Sequence, residues 1–238
     1  MVREIFQGAI RLTPRFANAP KSAFDIANTP MEEVAIANPK TENWQGNLRY
    51  LQRQESCDYC LLNYRDNLTK LANKRYFNIW LEQVWKRVAI EQLALSIILI
   101  EIDYLKIYNK SWGDDAAENC LQQVAKVISE WVQPPDGLAA RFDSEKFALI
   151  IPQAKATTAL KIAERIRRNV KKLAFYHDSQ MDGLPDRVVT VSLGIGMGIG
   201  QLEVSPSILM NAAEEALYQS QRKGRDRAEV KYIVASSG

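Results

Sequence analysis

An α+β fold, built on an antiparallel sheet of βαββαβ order backed by helices in a two-layer arrangement, is predicted by three observations on this 238-residue chain. From residue 73 onward, apolar runs of strand length alternate with stretches whose apolar residues recur at helical spacing. Two short apolar strands, Leu138 to Phe142 and Phe147 to Ile151, are separated by only a few polar residues and therefore pair as a hairpin. The turn cluster Pro134-Pro135-Asp136-Gly137 ends the helix that precedes them.

Each element follows from local pattern. Asn73 to Ile90 reads as a helix whose Trp80 and Trp85 serve packing. Leu95 to Ile102 is a buried strand rich in Ile and Leu, and Asp114 to Val132 a second helix. After the hairpin, Ala154 to Leu173 sets Leu160, Ala163, Ile166 and Val170 on one helical face. A polar loop with His177, Gly183 and Pro185 follows, in which His177 is expected to be solvated. Val188 to Ile195 is a strand, Pro206 to Arg222 the last helix, and Val230 to Val234 the closing strand.

The N-terminal quarter differs. Pro14, Pro20, Pro30 and Pro39 recur among Asn, Ala and Thr without a sustained apolar period, so residues 1–42 read as an extended or disordered arm. Residues 43–65 carry Trp44, Leu48, Leu51, Leu61 and Leu62 and read as a linker helix. The main domain spans residues 66–238.

Composition narrows the function classes. A hydrophobic fraction of 47% supports a core, and a net charge of +3 with interleaved signs gives no support for a nucleic-acid partner or a polybasic membrane surface. The apolar run Leu93 to Ile100 falls far short of the roughly 20 residues of a membrane span. Met1-Val2-Arg3-Glu4 lacks the apolar core of a secretory signal, and the chain reads as cytoplasmic. Cys57 and Cys60 form a lone CxxC and Cys120 stands apart, which is neither a disulfide framework nor a four-ligand zinc site.

Chemistry concentrates at the strand ends Glu101-Ile102-Asp103-Tyr104-Leu105-Lys106 and Arg141-Phe142-Asp143-Ser144-Glu145-Lys146-Phe147. With Asp66-Asn67-Leu68-Thr69-Lys70-Leu71 and its continuation to Phe77, Val189 to Ile195, and Ala213 to Tyr218 with Gly224-Arg225-Asp226-Arg227, they form an ordered series that resembles the GGDEF (diguanylate cyclase) family over residues 66 to about 232. The resemblance implies an enzyme type that joins two GTP molecules into cyclic di-GMP across two facing domains. It implies a divalent ion, Mg²⁺, held at the positions of Glu101, the Ile102 carbonyl and Glu145, which would neutralise the triphosphate. It places Asn109 and Glu118 against the guanine base, and Lys106 and Arg225 against phosphates.

Several positions depart from the family pattern. Asp143-Ser144 stand where the family has Gly-Gly, Lys146 replaces an acid, Glu101 replaces Asp, and Gln221 replaces a phosphate-binding Lys. Asp114 replaces His, Ala117 replaces Gly, and Pro134 to Gly137 lack both ends of the RxxD inhibitory motif. The longer Glu101 moves its carboxylate by roughly one C–C bond, about 1.5 Å. Asp143 adds negative charge where a triphosphate would pass, and two unit charges about 4 Å apart interact by about 4 kcal/mol at an effective dielectric of 20.

Lys146 is expected to pair with Glu145, Asp143 or Glu101 and take the place of a metal, in preference to meeting a phosphate. The expectation is therefore a degenerate member without cyclase activity and without a bound ion, although the carboxylates of Glu101 and Glu145 with the Ile102 carbonyl keep a Mg²⁺ site chemically conceivable. It would bind another protein through the arm or a domain face as a scaffolding or regulatory subunit. The alternatives are a GTP sensor without turnover and a weak diguanylate cyclase.

Overall fold

The computed structural model describes residues 64–132, 137–178, 187–202 and 204–233. The expected arm at 1–42, nearly all of the linker helix at 43–65, the Cys57–Cys60 pair and most of the Pro134 to Gly137 turn lie outside the described residues.

Among the described residues eleven elements follow in order: β1 Ala72–Asn73, α1 Lys74–Ile90, β2 Ala94–Ile102, α2 Leu105–Trp112, α3 Asp114–Ser129, β3 Leu138–Arg141, β4 Lys146–Pro152, α4 Ala156–Lys172, β5 Val191–Ile199, α5 Ser207–Arg222 and β6 Ala228–Tyr232. The sheet order is β1-β3-β4-β2-β5-β6. The four central strands pair antiparallel, as the βαββαβ order predicts. At the edges β1 runs parallel to β3 and β6 parallel to β5, which makes the whole sheet mixed. Two-residue β1 carries no periodic signal, and β6 is recognised by its position after α5.

Alternation along the strands sorts the core into two faces. Ile98, Ile100, Phe147, Leu149, Leu193 and Ile195 join α3 and α4 in one cluster on the first face. On the second, glycines in β5 let α5 lie directly on the strand backbone. A Cβ on Gly194 would overlap the Ala213 carbonyl and the Leu217 backbone, and one on Gly196 would overlap the Leu209 carbonyl. Trp80 and Trp85 of α1 are both buried, and Trp85 Nε1 donates to the Val204 carbonyl at 2.7 Å. Cys120 is buried in α3, where desolvation pushes its thiol up to about 12 and leaves it a packing residue.

Helix α2 is absent from the sequence reading. It begins on Tyr104 in the left-handed region (φ 58°) and runs eight residues to Gly113, whose φ of 85° ends it and opens α3. So short a helix buries only Leu105 and Tyr108, too few positions to display a period. His177 is also placed differently from expectation: it is 8% exposed, packed edge-on against Tyr104 and Tyr108, with burial lowering its pKa. The backbone pairing of Tyr176 with Val188 draws it in, because this bridge ties the loop to the start of β5. No helix among the described residues is long and apolar enough to cross a membrane.

The helix-on-backbone contact at β5 is testable. Gly194→Ala forces α5 away from the sheet and should cost about 1–3 kcal/mol. The urea midpoint is expected to fall with an unchanged m-value.

Candidate functional site

The C-terminal end of β2 and the β3–β4 tip meet at one corner. Register sets Glu101 opposite Lys146, and their side chains pair at 3.3 Å through Glu101 Oε2. From α5, Gln221 Nε2 donates to Glu101 Oε1 at 2.8 Å, so both carboxylate oxygens have partners. Glu145 Oε1 lies 3.5 Å from Lys106 Nζ, and the Ile102 N–H donates to the Glu145 carbonyl. The structure thus gathers Glu101, Ile102, Glu145, Lys146 and Lys106. Among the three acids considered for Lys146, its ion pair is made with Glu101.

The tip closes without glycine. Phe142 and Asp143 N–H groups both donate to the Lys146 carbonyl, and Asp143 Oδ1 accepts from the Ser144 N–H at 2.8 Å. Neither Asp143 nor Ser144 has positive φ, so side chains there impose no backbone strain. Arg141 braces the tip by donating to the Ser144 carbonyl at 2.8 Å and to Asp66 Oδ1 at 3.2 Å. Asp66 also accepts from the Thr69 N–H and hydroxyl. Partial burial pushes the Asp66 carboxyl up, but the Thr69 bonds and Arg141 outweigh it and leave the pKa below the usual carboxylate value.

Behind the corner lies a hub that sequence reasoning missed. Asp103 is 2% exposed and accepts from the Thr190 and Ser192 hydroxyls, each at 2.7 Å. The Asp226 N–H donates to it at 3.3 Å, and Arg225 Nε stands 3.8 Å away. Burial nevertheless pushes its carboxyl above the usual range, against the pull of these donors. Hydroxyls two residues apart on a strand that neighbours an acid would have been the sequence signal. Arg225 lies over the Tyr104 ring at 4.5 Å and donates to the Tyr104 hydroxyl at 3.0 Å. Asp226 is held in turn by Arg167 at 2.8 Å and Lys171 at 2.7 Å.

The positions expected to read a base sit elsewhere. Asn109 on α2 donates its amide to Asp114 Oδ1 at 2.9 Å, and Glu118 is exposed one turn further along α3. Neither bonds to the Glu101–Lys146 corner. Within and beside that corner, carboxylates (Glu101, Glu145, Asp143) and cations (Lys106, Lys146, Arg141) are interleaved. Among the described residues no three His, Cys, Asp or Glu side chains are grouped as metal ligands. Of the residues expected to hold a divalent ion, Glu101 bonds to Lys146 and Gln221, and Glu145 faces Lys106.

Comparison with known proteins bears on this geometry. The model of the diguanylate cyclase GGDEF domain matches residues 63–227. Response regulator PleD of Caulobacter vibrioides is 32% identical over 213 residues, covering 85% of this chain and 44% of PleD. Diguanylate cyclase A of Treponema denticola is 32% identical over 165 residues, covering 68% of this chain and 43% of that protein. The GGDEF domain of DgcB from Caulobacter crescentus, solved in complex with c-di-GMP, superposes with a TM-score of 0.62 at 30% identity, covering 71% of this chain and 93% of that domain. The chain thus spans less than half the length of these curated relatives.

Two outcomes test the bracing. Asp103→Ala strands two hydroxyls in the core and should cost about 1–3 kcal/mol by urea unfolding. Because the folded pKa of Asp66 lies below its ordinary 3.8, its contribution to stability is present above that value and lost as pH falls through the folded pKa. Asp66→Asn should therefore flatten the acid limb of the stability–pH curve, followed by urea midpoints across the acid range.

Proposed function

The chain belongs to the diguanylate cyclase GGDEF domain family, and on that premise we propose that it does not turn over GTP but acts in the cytoplasm as a regulatory or scaffolding subunit. Its partner is another protein, met through a domain face or the N-terminal segment. The observation that carries this reading is the Glu101–Lys146 ion pair. An ammonium group stands against the carboxylate that the family uses for its divalent ion, and Mg²⁺ demands oxygen contacts at about 2.0–2.1 Å in near-octahedral geometry. Loading the site would break that pair and displace Gln221 from the same carboxylate.

Charge and shape support the same reading. A nucleotide triphosphate approaching this corner meets the Asp143 carboxylate in place of a bare backbone. The tip folds stably around Asp143 and Ser144, so these residues form a settled alternative to the family turn. Gln221 is drawn to Glu101 and supplies no charge for a phosphate.

One observation favours a second reading, a sensor that holds GTP without turnover. Lys106 is 82% exposed and only loosely paired, while Arg225 is oriented by Tyr104, which keeps two phosphate-contacting positions available. Calorimetry with GTP, with and without Mg²⁺, separates a sensor from a scaffold.

The principal test is turnover. Purified protein given GTP with Mg²⁺ or Mn²⁺ is expected to yield no cyclic di-GMP by chromatography, and detectable product rejects the proposal. If only the corner has decayed, the combined variant E101D/D143G/S144G/K146E should gain on the order of 10²-fold or more in product formation.

A further inference from the structure

Helices α3 and α4 cover the same face of the sheet and carry opposite charge on their outer surfaces. In α4, Ala159, Ala163, Ile166 and Val170 face the core. On the opposite side Lys161, Arg165, Arg168 and Lys172 follow one another at steps of four, three and four residues, and all four are exposed. The stripe is about 17 Å long at 1.5 Å per residue. None of the four makes an ion pair among the described residues, whereas their neighbours Arg167 and Lys171 are engaged by Asp226. Two are held in place: Arg165 lies 5.5 Å from the Trp131 ring centre, and Arg168 donates to the Glu164 carbonyl. Like charges at these spacings weaken an isolated helix, so the stripe works against α4 in a single copy.

The outer side of α3 is the complement. Asp115 and Glu118, three residues apart, are exposed at its start, and exposed Glu130 follows its end. None of these acids is ion-paired among the described residues. Asn119 and Gln122 beside them are exposed and uncharged, and Lys126 is the one exposed cation along the helix, so the outer side is acidic at both ends. α3 leaves from the end of β2 at the candidate site, whereas α4 starts beyond β4 at the opposite end of the sheet and returns toward β5. The two helices therefore run antiparallel. Asp115 and Glu118 of α3 lie at the same end of the domain as Arg168 and Lys172 of α4, and Glu130 lies at the same end as Lys161.

We propose that two copies of this chain pair through the α3–α4 face, about a two-fold axis parallel to these helices. That rotation lays each α4 over its partner's α3, with Arg168 and Lys172 meeting Asp115 and Glu118 and Lys161 meeting Glu130, and the two contacts are equivalent. A two-fold axis at right angles to the helices would instead set α4 on α4 and bring like charges together. An anionic membrane or an acidic peptide would satisfy α4 but be repelled by the acids of α3. Only a second copy uses both helices. Rotation about this axis leaves directions along it unchanged, so the two β3–β4 tips lie side by side rather than opposed. The pairing is independent of whether the corner binds nucleotide.

Sedimentation equilibrium of the full chain tests it. We expect a dimer with a dissociation constant on the order of 100 µM at low salt, weakened about ten-fold by a few hundred millimolar NaCl, because exposed ion pairs are individually weak and screened. R168E/K172E and D115K/E118K should each be monomeric. Mixing them should restore a dimer, since each reversed group then meets its complement. Wild-type protein that stays monomeric at millimolar concentration, a dimer that either variant keeps, or failure of the mixture to associate overturns the proposal. So does wild-type protein that binds phosphatidylglycerol vesicles without self-association, which would favour a membrane surface.

Discussion

The buried carboxylate of Asp103 is the constraint on which the functional end of the domain depends. It sits just past the end of β2, accepts from two hydroxyls presented by β5 and the residue before it, and takes the backbone N–H of Asp226 from the turn between α5 and β6. Two separated stretches of chain are thereby fixed to a side chain on a third. An unpaired carboxylate at this depth would be costly, so the donors are as necessary to Asp103 as Asp103 is to them. Glu101 precedes it by two residues and therefore sits on the same face as Asp103, but nearer solvent. The inner acid organises structure and the outer one faces the chemistry.

That division separates the side chains of the corner from the group that anchors the fold behind it. The side chains of the corner satisfy one another: Lys146 meets Glu101, and Gln221 meets the same carboxylate from the other side. Together they close a network around the outer acid. The Arg141 brace supplies what the tip would otherwise lack, because it ties the turn to the Asp66–Thr69 entry segment far away in sequence.

Much of this was legible in the sequence. The hairpin, the central strands and the long helices follow from apolar period, and the observed ends differ from the expected ones by a few residues. The ordered motifs placed Glu101, Glu145, Lys146 and Lys106 at one corner, where the structure puts them. What escaped had no period or no linear signature. α2 is too short, and its start on a left-handed Tyr104 is invisible to pattern. The burial of His177 depends on a bridge between residues on either side of a loop. The partnership of Asp103 with Thr190 and Ser192 spans nearly ninety residues, and only the β2–β5 register brings them together.

The tip of the β3–β4 hairpin has a wider consequence. Since neither Asp143 nor Ser144 takes a left-handed backbone, folding does not demand glycine at either position, while the N–H bonds of Phe142, Asp143 and Ser144 exclude proline. Selection on chemistry and selection on foldability are thereby uncoupled at this bend, which makes it a natural place for catalytic parts to be discarded or new recognition loops to be grafted.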